Sequence, residues 1–309
     1  MNISFHARLG YNFDHESFSI KAYRINALPD SVLCHILSYL PTKNVVATSI
    51  LARRWKLVWT SLQKLYFDDR QSRRLPDFLL KVPAGGTCFP NVKILTMQLE
   101  SPDNILTEKL FCSCPSLEEL SIQAYLNDEG PTTKFVISSS TLKQCTLWVE
   151  TEGEMFTQAE YKVRITAPSL ERLHIMSNIF GKFVVHDLNS LTDVILDIVY
   201  GEWSRVDPNR SIQLLQQLNN TTSLTVSYGQ SRFEVTEEQF GWIEGDIVPN
   251  CLLEHVKKIE IKGVEGDEDE LILVEYLLKY SSVLEVMVIC FKGSVSKPER
   301  RDIGSNVRL

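Results

Sequence analysis

Residues 114–122, CPSLEELSI, are the building unit of this chain: a proline and a small polar residue, a leucine, two acids, then leucine, serine and isoleucine. Along a strand, successive side chains alternate between faces, so Leu120 and Ile122 share one face and Ser121 looks the other way. Leu117, three residues earlier, closes the turn that leads in. A single strand cannot bury such a face, so the unit demands neighbours of its own kind. They stand at 89–97 (FPNVKILTM), 139–147 (SSTLKQCTL) and 167–175 (APSLERLHI).

Reduced to apolar-x-x-apolar-x-apolar, the unit also covers a wider set. It falls at Val92/Leu95/Met97, Leu117/Leu120/Ile122, Leu142/Cys145/Leu147, Leu170/Leu173/Ile175 and Leu191/Val194/Leu196. Further copies are Val256/Ile259/Ile261, Leu284/Met287/Ile289 and a weaker Thr221/Leu224/Val226. First positions lie 25, 25, 28, 21, 30, 35 and 28 residues apart, a quasi-regular period that chance does not supply. A proline just ahead of the strand is tolerated because it lies outside the ladder. The pattern resembles leucine-rich repeats of irregular length that mostly lack the asparagine-ladder position. That resemblance implies an α/β solenoid, with parallel strands in a curved array. It also implies that a partner protein is read by exposed residues on the concave side, here Lys93, Thr96, Glu119, Ser121, Arg172 and His174.

Between the strands, helical or irregular return segments are expected. Ile105–Cys112 and Ser211–Leu218 have helical spacing, and Asp207-Pro208-Asn209 reads as a turn and helix start. The stretch 265–280, EGDEDELILVEYLLKY, is expected to be a helix with acids at its N-terminal end and Leu271, Val274, Leu277 and Leu278 on one apolar stripe.

Composition narrows the function. With 309 residues, 44% hydrophobic and 23% charged, the chain is long enough for a small domain plus an elongated array, and it is not a disordered chain. Its net charge of -7 argues against a nucleic-acid surface. Seven scattered cysteines (Cys34, Cys88, Cys112, Cys114, Cys145, Cys251, Cys290) form no metal-ligand spacing and read as reduced thiols. No apolar run approaches the roughly 20 residues of a membrane span. An intracellular location, nucleus or cytoplasm, is expected. Charge is uneven: Ile25–Arg74 carries eight basic residues against three acidic, and Glu234–Glu270 twelve acidic against three basic.

Residues 28–59, LPDSVLCHILSYLPTKNVVATSILARRWKLVW, form a second kind of unit. Pro29 and Asp30 start a helix. Val32, Leu33, Ile36, Leu37 and Leu40 mark its apolar face, and Pro41 is expected to stop it. Thr42 caps a second helix with Val45, Val46, Ser49 and Ile50. A third, from near Ala52, holds Arg53, Arg54, Trp55, Val58 and Trp59. Three helices in so few residues bury little surface, and below about 40 residues a domain needs a metal, a disulfide or a partner. Neither a metal site nor a cysteine pair is present here, which leaves a partner or the array itself as cover.

The order LPxxxLxxILSxLPTK followed by TSxL, then ArgTrp and Trp59, resembles the F-box in its plant form. Asn44 stands where an acid is usual and Ala52 where serine is usual. Residues 251–289, with Cys251-Leu252, Ile259, Ile261, Gly266, Glu270, Tyr276 and Leu277, resemble the FBD domain. Together they mark a resemblance to the plant F-box/FBD/LRR-repeat family. It implies an F-box at 25–66, repeats at 67–249 and an FBD domain at 250–309, with residues 1–24 unassigned. Only Leu65–Cys88 separate the F-box from the first repeat, less than is usual, so an array shortened on its N-terminal side is expected.

The resemblance further implies a non-catalytic receptor subunit of an SCF-type (Skp–cullin–F-box) ubiquitin ligase. The F-box would dock on a Skp-family adaptor and, through it, a cullin, while the repeats hold a protein substrate. Carried over residue by residue, the adaptor-binding set is Leu28, Pro29, Leu33, Ile36, Leu40, Pro41, Val45, Ser49, Leu51, Arg54, Trp55 and Trp59. Of the apolar residues, Leu37, Val46 and Ile50 are expected inside. Six isolated histidines, no nucleophile–base motif and no phosphate loop leave catalysis without footing, and no cofactor, metal, nucleic acid or membrane partner is expected. A leucine-rich scaffold outside any ligase, or a truncated non-productive member, stays open on these residues alone.

Overall fold

The computed structural model describes residues 25–40, 42–48, 54–68, 89–100, 104–126, 134–151, 162–177, 182–198, 208–228, 248–266 and 268–292. The chain divides into two compact units, Met1–Leu62 and Gln63–Leu309.

In the first unit, helix α1 (Asp30–Leu37) begins behind Pro29, whose extended backbone occupies the N-cap position. Leu33 and Leu37, one turn apart, are buried, as are Val45, Val58 and Leu62. Val32 and Ile36, also one turn apart, face out. The single apolar face expected over Val32–Leu40 is therefore two stripes, one inside and one outside. The helix ends at Leu37, ahead of the proline expected to stop it. The Ser38 N–H still reaches Cys34 O, but the next two N–H groups reach back only three residues, Tyr39 to Ile36 O and Leu40 to Leu37 O, so the last turn tightens. Helix α2 (Thr42–Ala47) follows, then α3 (Trp55–Val58), which runs into a 3-10 turn, Trp59–Ser61. Pro41, Ser49, Ile50, Leu51, Ala52 and Arg53 lie outside the described residues, as does the side chain of Val46.

The second unit is built on a nine-stranded sheet. In spatial order its strands are β1 (Lys64–Asp68), β2 (Ile94–Glu100), β3 (Glu119–Leu126), β5 (Gln144–Thr151), β7 (Arg172–Ser177), β9 (Asp193–Ile198), β10 (Ser223–Tyr228), β11 (Lys258–Val264) and β12 (Val286–Phe291). Every neighbouring pair is parallel. The register places the two strand positions of every triplet in two continuous lanes. One runs Leu65, Leu95, Leu120, Cys145, Leu173, Val194, Leu224, Ile259, Met287, and the other Phe67, Met97, Ile122, Leu147, Ile175, Leu196, Val226, Ile261, Ile289. From β1 to β11 both lanes are buried; on β12 they emerge, and its residues are exposed or half-exposed on both faces. The first triplet positions from Val92 to Val256 are buried too, Thr221 among them. The weak copy is thus a full member of the array.

Backbone groups tie the strand entrances together. Lys93 O accepts from Glu118 N–H and Glu119 N–H; Glu118 O accepts from Lys143 and Gln144; Lys143 O accepts from Glu171 and Arg172. The same two-to-one link continues through Glu171, Thr192, Thr222 and Lys257. One repeated geometry therefore satisfies the polar groups where each turn becomes a strand.

Three of the connections depart from the helical or irregular returns expected. β4 (Lys134–Ser138), β6 (Lys162–Thr166) and β8 (Lys182–His186) pair in parallel as a second sheet, with Phe135, Val163, Phe183 and then Ile137, Ile165, Val185 in register. The reason is in their alternation, KFVIS, KVRIT and KFVVH, a period of two rich in β-branched and aromatic residues. Helical returns are α4 (Asn104–Cys112) and α5 (Pro208–Leu215). The array also starts earlier than expected. β1 pairs with β2 from Lys64, inside the stretch read as F-box.

The C-terminal helices are α6 (Asn250–Glu254) and α7 (Glu268–Tyr280). The stripe expected on α7 is rotated: Glu270, Leu273, Tyr276 and Leu277 are buried, while Leu271 and Leu278 face out. A buried acid turns the helix. One carboxylate oxygen of Glu270 accepts from Glu265 N–H and Gly266 N–H, both at 2.8 Å. It thus reaches back over the helix start as capping acids do.

Candidate functional site

The helical unit presents an apolar surface it does not use for its own core. Val32, Ile36 and Leu40 are 40%, 44% and 41% exposed, and Ile25 and Tyr39 stand out beside them in sequence. Leu28 is half-buried and Pro29 exposed just ahead of the helix. Val32 and Ile36, at i and i+4 of α1, with Leu40 just past its end, make the kind of surface a helix lays into an apolar groove.

Several carried-over residues sit elsewhere. Leu33, Val45 and Trp55 are in the interior, where they join Leu37 in holding the helices together, so they offer little surface to a partner. Trp59 is half-buried. Arg54 is tied down: its Nε donates to Asp30 Oδ1 at 2.8 Å, its Nη2 reaches the same oxygen at 2.5 Å, and its Nη1 donates to Asn26 O. The Trp55 indole N–H donates to Asn26 Oδ1 at 2.6 Å. Burial, seconded by the nearby Asp30 charge, raises the Cys34 thiol pKa, which disfavours the thiolate.

On the nine-stranded sheet, the outward side chains also fall into lanes. Thr96, Ser121 and His174 share one, with Thr146 between Ser121 and His174. Glu119 and Arg172 share the next, separated by Gln144. Lys93 belongs to neither. It stands at a strand entrance and pairs with Glu118 at 2.9 Å, as does Lys143 from the other side. Hydrogen bonds from Lys93 and Lys143, aided by their charges, lower the Glu118 carboxyl to about 2.

His174 lies on the outward side, as expected, but it is engaged: its Nε2 is 2.5 Å from Asp197 Oδ2. Burial by itself would raise the Asp197 carboxyl. Hydrogen bonds from His174 and Ser227, with the charges of His174 and Lys262, outweigh it and hold the carboxyl below its ordinary value.

Beyond the expected residues, a chain of hydrogen bonds crosses the first strands of the same face. Tyr66 OH donates to Gln98 Oε1 at 2.8 Å, Gln98 Nε2 to Gln123 Oε1 at 2.9 Å, and Gln123 Nε2 to Tyr125 OH. Their signal in the sequence is positional: Gln98 and Gln123 each directly follow a triplet. Asn26 had no such signal, since its role depends on Trp55, 29 residues away.

Among the described residues, no group of three or more His, Cys, Asp or Glu is placed to hold a metal ion. No described helix is long and apolar enough to cross a membrane.

Comparison with known proteins assigns both ends of this architecture. The F-box domain model matches residues 25–67 and the FBD model residues 244–289. The chain is similar to a probable FBD-associated F-box protein of Arabidopsis thaliana, 26% identical over 85% of this chain and 88% of that one. It is 21% identical to an Arabidopsis thaliana F-box/FBD/LRR-repeat protein over 93% of this chain and 95% of the other. A second F-box/FBD/LRR-repeat protein of the same plant is 54% identical over 50 residues, covering 16% of this chain and 11% of its own length. No solved structure matches the chain. The chain thus carries an F-box and an FBD domain and is similar along most of its length to Arabidopsis thaliana proteins of that make-up.

Proposed function

We propose that this chain is the substrate-recognition subunit of an SCF-type ubiquitin ligase. Its F-box, residues 25–66, docks on a Skp-family adaptor and through it on a cullin. The parallel array, a leucine-rich-repeat solenoid over 67–249 that takes its first strand from the end of the F-box stretch, holds the protein to be ubiquitinated. The FBD domain at 250–309 closes it. The observation that carries this reading is the outward set Val32, Ile36 and Leu40 on a module whose described core residues, Leu33, Leu37 and Val45, are buried apart from it. Apolar side chains left exposed on a helix are stabilised by a partner groove.

Docking then divides the carried-over residues by burial. Leu28, Pro29, Ile36 and Leu40 meet the adaptor, and Leu33, Val45 and Trp55 keep the helices in place to do so. Target contacts fall on the outward lanes through Thr96, Ser121, Glu119, Arg172 and His174, extended by Gln98 and Gln123. The chain supplies proximity and no bond-making group. Its six described free thiols suit the reducing nucleus or cytoplasm, where such an adaptor works.

The test is binding of the full chain to a plant Skp adaptor, with Ile36→Glu and Leu40→Glu as probes. Each is expected to weaken binding by on the order of 2 kcal/mol or more, as for a central interface anchor. A folded chain that binds no adaptor, or binds equally well with both substitutions, overturns the proposal and leaves a binding scaffold outside any ligase.

A further inference from the structure

We propose that Asn26 is a positioning residue for adaptor docking, clamped by Trp55 and Arg54 so that Leu28 and Pro29 are presented in one conformation. The inference rests on the docking role just argued and assigns Arg54 and Trp55 a different part in it, as braces and not as contacts.

Locally, segment 25–29 is tied to α1 through Pro29 O, which accepts from Val32 N–H and Leu33 N–H at 3.0 and 3.1 Å. Pro29 has no N–H, and within the segment the Leu28 N–H reaches back to Ile25 O at 3.1 Å. Yet Ile25 and Pro29 are exposed and Leu28 is half-buried, so the segment carries apolar surface a partner would meet. Its long-range ties, among the described residues, come from residues 54 and 55. On one side of Leu28-Pro29, the Trp55 indole N–H donates to the Asn26 side-chain oxygen at 2.6 Å, and Arg54 donates to the Asn26 main-chain oxygen. On the other side, the Arg54 guanidinium donates twice to Asp30. Leu28-Pro29 is thus bridged between two anchor points that share one Arg-Trp pair.

The chemistry singles out Asn26. Trp55 is 4% exposed, and an indole nitrogen only donates, so the amide must turn its oxygen towards it. A buried N–H without an acceptor is costly, which makes the pair mutually dependent. The Arg54–Asp30 bond is more exposed and contributes less.

The experiment is a double-mutant cycle on the full chain with Asn26→Ala and Trp55→Phe, and Asn26→Asp as the variant that keeps the acceptor. Two readouts are taken: affinity for a plant Skp adaptor and hydrogen exchange of the Leu28 amide in the free chain. Exchange of the Ser38 amide, bonded to Cys34 O at the end of α1, confirms that each variant keeps the helical unit folded. Each single substitution is expected to weaken adaptor binding about tenfold and to speed Leu28 exchange, with the double variant no worse than the weaker single. Asn26→Asp is expected to stay within about threefold of the parent, since the acceptor is retained. Additive losses, or an Asn26→Ala chain that binds as the parent does, overturn the clamp. A parent chain that binds no adaptor overturns the docking role instead. In that case the exchange readout judges the clamp by itself, and unchanged Leu28 protection in Asn26→Ala rejects it.

Discussion

Glu270 is a buried acid in the C-terminal part of the array, and two main-chain amides depend on it. Both main-chain bonds end on the same carboxylate oxygen, each at 2.8 Å, and the side chain is buried. They hold Glu265 and Gly266, the corner between β11 and α7, where Gly266 adopts a φ of 100°. A hydrogen bond to a charged group contributes about 1.5–3 kcal/mol net. The two amides belong to exposed residues and regain water when released, so Glu270→Ala is expected to destabilise by roughly 2–4 kcal/mol. Glu270→Gln keeps one oxygen able to accept both bonds and loses only the charge, for roughly half that loss. Strands of a stacked array depend chiefly on their neighbours, so the damage stays local. Hydrogen exchange should rise in β11, α7 and β12 and remain unchanged in β3 and β5. Urea unfolding supplies the magnitude. A loss below about 0.5 kcal/mol in Glu270→Ala, with Glu265 and Gly266 amides still protected, would refute the reasoning.

Four further outcomes are expected. Leu33→Ala should destabilise the helical unit by about 2–5 kcal/mol, whereas exposed Ile36→Ala should leave folding within about 0.5 kcal/mol, compared by thermal unfolding. The Glu118 carboxyl is lowered from 4.5 to about 2 in the folded chain, so its support is present above the ordinary value and disappears as pH falls from about 4.5 towards 2. Acid-unfolding curves of the parent and Glu118→Gln should converge across that window, and salt should shrink the gap between them. Gly263 has a φ of 76°, and a Cβ there would lie 2.3 Å from the Tyr228 carbonyl oxygen. Gly263→Ala should therefore exceed the strain of about 1–2 kcal/mol set by the left-handed backbone alone, whereas Gly266→Ala, with open space, should not. Burial pushes the Cys145 and Cys251 thiols up to about 12, while Cys112 is exposed. Iodoacetamide at neutral pH should label Cys112 in the folded chain and reach the other two only on unfolding.

Much of the array was legible because its signal is periodic. Each triplet carries its own face, and eight of them recur at quasi-regular intervals before any coordinate is known. Even Thr221, polar at an apolar position, followed its neighbours inside. The three-stranded sheet escaped because its strands are short, five-residue alternations lying between the stronger triplet units. On α7 the pattern supplied the helix but not its rotation. Leucines stand on both flanks of the helix, and a buried carboxylate with two backbone partners decided which flank turned inward.

The F-box face shows where local pattern stops. Order and spacing of Leu28-Pro29, Leu33, Ile36, Leu40 and Arg54-Trp55 marked the module as an F-box. They could not separate Leu33 from Ile36, since both are apolar, helical and three residues apart. That division follows from which side of α1 the other helices cover. Likewise Asn26 gains its role only when Trp55 is brought against it from 29 residues away. What the amino-acid order determined by itself is what neighbours along the chain can encode: period, face, turn and module. The tertiary structure decided what depends on non-local cover, namely which apolar residues remain for a partner and which polar groups are already engaged.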